Sequence, residues 1–161
     1  SGMGVQMAFA YNRIMGDKVI PVVPVFQSPF VPRGNVVPKS SYELGQAIGR
    51  AIESSASDAR VAVLGIGGLS HFIVNESLDR SIIEAMEHHD GDFLSSVSLP
   101  LDRREAGSTH RQRRPGMTSQ TRNWFSTAGA AGDLQMELID YIPCYRSDAG
   151  TGNAMGFAYW E

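Results

Sequence analysis

The chain has 161 residues, of which 42% are hydrophobic and 19% charged, so it has the composition of a folded domain rather than a disordered segment. Its formal net charge of -3 gives no overall attraction to nucleic acid or to an anionic membrane surface, and we expect neither as a partner. No apolar run approaches the roughly 20 residues that a membrane-spanning helix needs.

Cysteine content and the first residues bear on the cellular compartment. Cys144 is the single cysteine, so the chain forms no internal disulfide, and a reducing cytoplasm is the simplest location. Because Cys144 follows Pro143 in a strand-like segment, we expect it to be a buried small hydrophobic residue. The start of the chain lacks the basic and apolar regions of a secretory signal.

The first third of the chain contains two apolar segments and one helix. Residues 4–16 fit a helix and a strand equally well. Residues 18–27 are β-branched and apolar on both faces, which is typical of a buried parallel strand, although two prolines restrict it to a short, bulged or edge strand. After a proline-rich loop at 28–39, Ser40 or Ser41 is the expected cap of a helix with regular apolar spacing.

The middle of the chain begins with a second predicted buried strand, residues 60–66, which leads directly into a glycine-rich turn. Asn75 is the expected cap of the next helix, whose apolar stripe consists of Leu78, Ile82, Ile83 and Met86. A turn with a short helical piece follows at 90–98. Residues 100–116 are polar and basic and are expected to form a loop.

The last third is predicted to contain a third helix and one further strand-like segment. Thr118 or Ser119 is the expected helix cap, and the helix should end near Gly129 or Gly132. Residues 134–145 have strand character, and a turn at 148–152 precedes a final apolar piece. The order of elements predicts one α/β domain over residues 1–161, with a mixed, partly parallel sheet flanked by helices.

The strongest local signal for chemistry is GIGGLSHF, residues 65–72. A predicted strand ends there, two glycines allow a tight turn, and His71 follows at the carboxyl end of the strand, where open α/β sheets bind ligands. A histidine in this position can transfer protons near neutral pH. From the pattern alone, a structural histidine bonded to a loop carbonyl is about as frequent.

Several segments in the same order resemble one known family, the class III extradiol ring-cleavage dioxygenases, and in particular the protocatechuate-type, LigB-like catalytic subunit. GGLSHF resembles its catalytic-base motif, and the flanking helices resemble SSYELGQAIGRAIES before it and NESLDRSIIEAM after it. TSQTRNWFSTAGA resembles the metal-ligand helix, and residues 139–160 resemble the C-terminal tail. The similarity corresponds to the C-terminal half of that subunit.

This resemblance implies an oxidoreductase of aromatic compound catabolism that opens a catechol-type ring with dioxygen. The implied cofactor is non-haem Fe(II), held by two histidines and one carboxylate. By the same resemblance His71 is the catalytic base, and Gly68 and Ser70 shape its loop and contact the substrate. The aromatic small molecule itself is not identified by the sequence.

Two departures from the family pattern concern the metal. The family's histidine ligands lie in an N-terminal half, and none of the histidines here, His71, His88, His89 and His110, occurs in a matching motif. Gln120 occupies the position of the glutamate ligand, and its neutral amide lacks the anionic charge that Fe(II) favours. The iron site is therefore expected to be incomplete in this chain, with Gln120 a weak ligand at most. His88 and His89 are expected to be solvated at a helix end.

Five arginines between positions 103 and 114 form a basic segment. One interpretation is a gate that attracts an aromatic acid through carboxylate pairing. A solvated loop is the favoured alternative.

Three hypotheses stay open for the whole chain. In the first, it is a ring-cleaving enzyme completed by a separate N-terminal half. In the second, it is a non-catalytic dioxygenase-like fragment or a binding module, which the absent ligands favour. In the third, apolar surface left uncovered by half a fold leads to a homo-oligomer.

Overall fold

The computed structural model describes residues 5–18, 20–27, 38–97 and 120–161. The elements in chain order are α1 (Val5–Phe9), which continues as a π-helical stretch (Ala10–Met15), α2 (Pro38–Glu53), β1 (His71–Ile73), α3 (Glu76–Glu87), α4 (Gly91–Ser96), α5 (Thr121–Ala131), β2 (Met136–Tyr145) and β3 (Thr151–Trp160). Residues 5–15 are thus helical, which decides between the two structures that their sequence allowed. Within the described ranges no helix is both long and apolar enough to span a membrane.

The three strands form one sheet in the order β1-β3-β2. Both strand pairs are antiparallel, with His71 opposite Asn153 and Met136 opposite Trp160, and the register shifts once between Leu138 and Asp140. The mixed α/β class is confirmed. The parallel pairing that we expected is not found among the described strands, because β2 and β3 form a hairpin and β1 joins its free edge.

Two of the predicted strands are not strands in the structure. Residues 20–27 and 60–66 are extended but belong to no sheet, and several of their apolar side chains are exposed, including Val23 (87%), Phe26 (76%) and Val61 (58%). A strand with apolar residues on both faces is stable when other elements pack on both faces and another strand pairs with its backbone. The described part of the chain provides neither the packing nor the pairing strand, so these segments lie on the surface.

Helices α3, α4 and α5 follow their predicted signals, whereas α2 begins at Pro38, so Ser40 and Ser41 lie inside its first turn and the prediction that one of them caps it is wrong. The Asn75 side chain accepts a hydrogen bond from Leu78 N at 3.2 Å and so caps α3, and the Asp90 side chain caps α4 through Phe93 N at 2.8 Å. Helix α5 ends at Gly132, whose φ of 60° is the left-handed conformation that favours glycine. Thr118 and Ser119, the predicted caps of α5, lie outside the described residues.

The core lies between the sheet and helices α3, α4 and α5. Its largest fully buried side chains are Phe125, Leu69, Ile82, Met86 and Leu94. The predicted stripe of α3 supplies two of these, which confirms the helical periodicity. Cys144 is exposed rather than buried, because it lies on the face of β2 that points away from the helices.

Candidate functional site

We call residues 66–71, which lead into β1, the histidine loop. Four consecutive residues of this loop, 66 to 69, each make one hydrogen bond with a side chain of the N-cap or first turn of α5. Asn123 Nδ2 donates to Ile66 O at 2.5 Å, Trp124 Nε1 to Gly67 O at 2.9 Å, and Thr121 Oγ1 to Leu69 O at 2.9 Å; Gly68 N donates to Gln120 Oε1 at 3.2 Å. Side chains 120, 121, 123 and 124 therefore fix the path of the loop, which is the structural role of the TSQTRNW motif.

The two glycines of the loop are required by close packing rather than by an unusual backbone conformation. A Cβ on Gly67 would lie 2.7 Å from Gln120 O, and a Cβ on Gly68 would lie 2.9 Å from Ala154 O. Both contacts are with rigid backbone, so any larger residue would push the loop away from α5 or from β3. The glycines let the loop fit between helix and sheet.

Gln120 lies at the N-cap of α5, beside the loop, and its role as a weak metal ligand stays a prediction. Its Oε1 atom, the atom that would face a metal ion in place of a carboxylate oxygen, accepts the hydrogen bond from Gly68 N. Gly68 and Gln120 are thus brought into direct contact by the fold. The amide oxygen is used for loop structure, which leaves it a poorer metal ligand than a carboxylate with two oxygens.

Ser70 is fully buried and bonded to a carboxylate that the sequence analysis did not single out. Its N–H donates to Asp79 Oδ1 at 3.0 Å and its hydroxyl donates to Asp79 Oδ2 at 2.6 Å. Tyr141 on β2 donates to the same Oδ2 at 2.8 Å. Ser70 therefore shapes the loop, as predicted, and its hydroxyl faces Asp79 in the interior; substrate contact by Ser70 stays a prediction.

Burial controls the electrostatics of this network. Desolvation raises the pKa of the Asp79 carboxyl above its usual range, and the hydrogen bonds from Ser70 and Tyr141 oppose the rise only in part. Burial, followed by the hydrogen bond to Asp79, raises the pKa of the Tyr141 phenol. Burial therefore disfavours the charged form of both groups.

His71 is the first residue of β1 and is half-buried. Its Nδ1 atom is buried and has no hydrogen-bond partner in the part of the chain that the structure describes. The ring meets Phe72 edge-on, with centroids 4.1 Å apart. Among the described residues Nδ1 therefore bonds no loop carbonyl, and the alternative of a structural histidine stays open for the other ring nitrogen.

The residues present do not fit an Fe(II) site. Within ranges 5–18, 20–27, 38–97 and 120–161, no three His, Cys, Asp or Glu side chains lie together as metal ligands. His88 and His89 are exposed at the end of α3, as predicted. His110 and the arginines of 103–114 lie outside the described residues, so the proposed gate stays a prediction.

Asp79 could have been found from the sequence. It lies three, four and seven residues before Ile82, Ile83 and Met86, so it occupies the apolar stripe of α3, where an acid must be buried. Thr121, Asn123 and Trp124 were seen only as part of a motif. Their loop-holding role depends on contacts more than 50 residues apart, which no local pattern reveals.

Comparison with known proteins gives one match. A sequence profile of the family described as the catalytic LigB subunit of aromatic ring-opening dioxygenase matches residues 2–145. Searches among curated proteins and among solved structures each returned no match. The matched range includes the histidine loop and the first turn of α5, and it covers most of the 161 residues. The chain therefore belongs to the family of LigB catalytic subunits of aromatic ring-opening dioxygenases.

Proposed function

We propose that this chain carries the proton-accepting part of an extradiol ring-opening site, with His71 as the base that takes a proton from a catechol-type substrate. The observation that supports the proposal most directly is the fixed position of the half-buried His71, which follows a loop that is hydrogen-bonded at every residue from 66 to 70. A base needs a fixed position, because proton transfer depends on distance and alignment.

The proton-transfer role follows from the chemistry of imidazole. A neutral imidazole has one nitrogen free to accept a proton, and its ordinary titration range lies near neutral pH. Deprotonation of a catechol hydroxyl makes the ring electron-rich, which ring cleavage by dioxygen requires. The rest of the loop binds no proton in this scheme; Gly68 gives the substrate close access to the backbone.

The metal ligands of such a site must come from elsewhere, since the described residues do not hold them. We propose that a separate polypeptide with the family's two histidine ligands completes the site and that Fe(II) is the metal. Gln120 would then lie next to the metal without supplying negative charge. The reducing cytoplasm suits both ferrous iron and the single cysteine, and we propose it as the location.

The experiment isolates the native complex through a tag on this chain, loads it with Fe(II) without oxygen, and then measures oxygen uptake with a catechol carboxylic acid. We expect uptake by the wild-type complex and a loss of at least about a hundredfold in His71→Gln, since general-base catalysis contributes about 10²–10⁴. His88→Gln, on an exposed histidine, is the matched control and should keep the rate. No uptake by the iron-loaded wild-type complex would refute the proposal.

A second candidate function is that of a non-catalytic binding module, and it is favoured by the engagement of Gln120 Oε1 with Gly68. Metal analysis of the isolated chain tests it. We expect less than stoichiometric Fe(II) in the wild-type chain, and Gln120→Glu should raise the affinity through its added charge. Stoichiometric iron lost in Gln120→Ala would exclude the non-catalytic module. We also propose that the chain associates with further copies of itself.

A further inference from the structure

The residue before His71 is bonded through every polar atom it has. Ser70 N and Ser70 Oγ donate to the two oxygens of Asp79, while Ser70 Oγ accepts from Asn75 N at 2.9 Å. Ser70 O accepts from Ala154 N at 2.7 Å, which ties the same residue to β3. Two of these four bonds end on a single carboxylate, so Asp79 is the main anchor of Ser70.

A carboxylate suits this position because both of its oxygens accept hydrogen bonds. Asp79 accepts three hydrogen bonds, two from Ser70 and one from Tyr141, and it is completely buried. Hydrogen bonds to a charged acceptor are about twice as strong as neutral ones, which offsets part of the desolvation cost. An asparagine of the same shape could accept only at its single oxygen, so the hydroxyls of Ser70 and Tyr141 would have to turn and accept from its NH₂ group.

The residue after His71 has a strained backbone. Phe72 has a φ of 67°, in the left-handed region, which is unfavourable for a residue with a bulky side chain. The chain beyond it is fixed by the pairing of Ile73 with Thr151 and by the bond from Val74 N to Gly150 O at 3.0 Å. Such a conformation persists only where the structure on both sides holds it.

His71 therefore lies between Ser70, which is held by Asp79, and Phe72, whose backbone is strained. If the anchor at Ser70 were lost, Phe72 could relax to an ordinary negative φ, and the peptide that carries His71 would rotate. We propose that Asp79 is a positioning residue for His71, acting through Ser70. The catalytic meaning of this position rests on the proposed function of His71, whereas the geometric claim can be tested without any activity.

The test uses NMR spectroscopy of the isolated chain, with the His71 signals assigned through His71→Gln. In Asp79→Asn we expect the His71 ring signals to move. We also expect amide hydrogen exchange at Ser70 and His71 to accelerate about tenfold to hundredfold relative to the core of α5, as fits the loss of a hydrogen bond to a charged acceptor.

Two further variants remove fewer of the hydrogen bonds around Asp79 and should change the His71 signals less. Tyr141→Phe removes one donor from Asp79 but leaves both bonds to Ser70, so it should change the His71 signals less than Asp79→Asn does. Ser70→Ala removes the two hydrogen bonds of the hydroxyl, to Asp79 and from Asn75, but keeps the bond from Ser70 N to Asp79, and it serves where Asp79→Asn folds poorly. Asp90→Asn, a capping aspartate on the neighbouring helix α4, is the control for loss of a carboxylate and should leave His71 unchanged.

A rescue separates positioning from general stability. Phe72→Gly accepts a positive φ without strain but removes the ring that contacts His71, so this single variant is the reference for the rescue. The double variant Asp79→Asn with Phe72→Gly should show His71 signals close to those of Phe72→Gly alone. A purely structural role predicts lower stability with unchanged His71 signals in Asp79→Asn, Tyr141→Phe and Ser70→Ala, and this result would overturn the proposal. Because oxygen uptake is not measured, failure here is distinct from failure of the ring-opening function.

Discussion

The Asp79 carboxyl gives the stability of the chain a predictable dependence on pH. Its pKa in the folded chain is raised above the usual 3.8, so the folded state binds this proton more tightly than the unfolded state does. Ionisation of Asp79 therefore reduces stability as pH rises from about 3.8 through the raised pKa. The contribution is fully favourable only below that window, which is the opposite of a carboxylate held by a salt bridge.

The measurement is urea unfolding of the wild-type chain and Asp79→Asn across about pH 3 to 8. We expect the free energy of unfolding of the wild type, minus that of the variant, to fall as pH rises through the window and to level off above it. The subtraction removes the contribution of the other carboxylates. A difference that increases with pH would show that the folded-state pKa is lowered instead.

Trp124 combines core packing with a hydrogen bond to the histidine loop. Its side chain is 8% exposed, and its indole N–H donates to Gly67 O at 2.9 Å. Trp124→Phe leaves that carbonyl without a partner and removes ring volume next to Gly156, so we expect a loss of about 2–4 kcal/mol. Trp160→Phe, in the same tilted ring pair but half-exposed, should cost less. Equal losses in chemical denaturation would contradict the role of the hydrogen bond.

The site was only partly predictable from sequence, for a physical reason. His71, Gly68 and Gln120 belong to short motifs whose order along the chain is preserved, so the resemblance located them. The carboxylate that holds Ser70 belongs to a helix stripe, and its partner on β2, Tyr141, is 62 residues away. Contacts of this kind depend on how elements pack, and a sequence pattern shows only that Asp79 must be buried.

At the scale of elements, α2 and α5 approach each other through small residues. A Cβ on Gly45 would collide with the backbone carbonyl of Ser126 and lie 2.9 Å from Ala130 N. The helices are also joined by the bond from Ser126 Oγ to Ser41 O at 3.0 Å. This contact holds α5 in place, and the first turn of α5 in turn holds the histidine loop.

Gly45→Ala tests this contact through the sign of its effect. Helix propensity alone would stabilise the chain by about 1 kcal/mol, whereas a methyl group forced against rigid backbone should cost more than that gain. We expect a net loss of about 1–3 kcal/mol in the free energy of unfolding. The control is Ala47→Gly at an exposed position of α2, where propensity alone predicts a loss of about 1 kcal/mol. A more stable Gly45→Ala variant would show that the helices are not in close contact.

The predicted elements are correct where residues close in sequence determine the structure, and wrong where contacts with distant parts of the chain determine it. The predicted strand-like segment 134–145 is confirmed as β2, and Gly150 in the predicted glycine-rich turn adopts a φ of 75°, whereas the antiparallel pairing of β2 with the final apolar piece, β3, was not predicted. Residues 18–27 and 60–66 have equally strong strand composition. A strand forms only when another backbone satisfies its hydrogen bonds, and composition does not say whether that neighbour is available.

At the scale of the whole molecule, the sheet has one covered and one open face. The inner face of β3, including Ala154 and Ala158, packs on the helices. The outer face exposes Met155 (42%), Phe157 (50%) and Tyr159 (37%), with Ile142 (43%) beside them on β2. Together with the exposed apolar segments at 20–27 and 60–66, this face leaves more hydrophobic surface uncovered than soluble monomers usually tolerate.

We therefore expect the isolated chain to self-associate through the outer face of the sheet, and sedimentation velocity at several concentrations measures it. Phe157→Lys places a charge in the middle of that face and should shift the chain toward monomer by at least about tenfold in dissociation constant, since burying an unpaired charge is unfavourable. Asn153→Lys, on the same face of β3 but at its polar end, is the matched control and should have a smaller effect. A wild-type chain that stays monomeric at all concentrations would refute self-association. If both variants associate as the wild type does, the contact instead involves the extended segments, whose exposed Val23 and Val61 are then the residues to change.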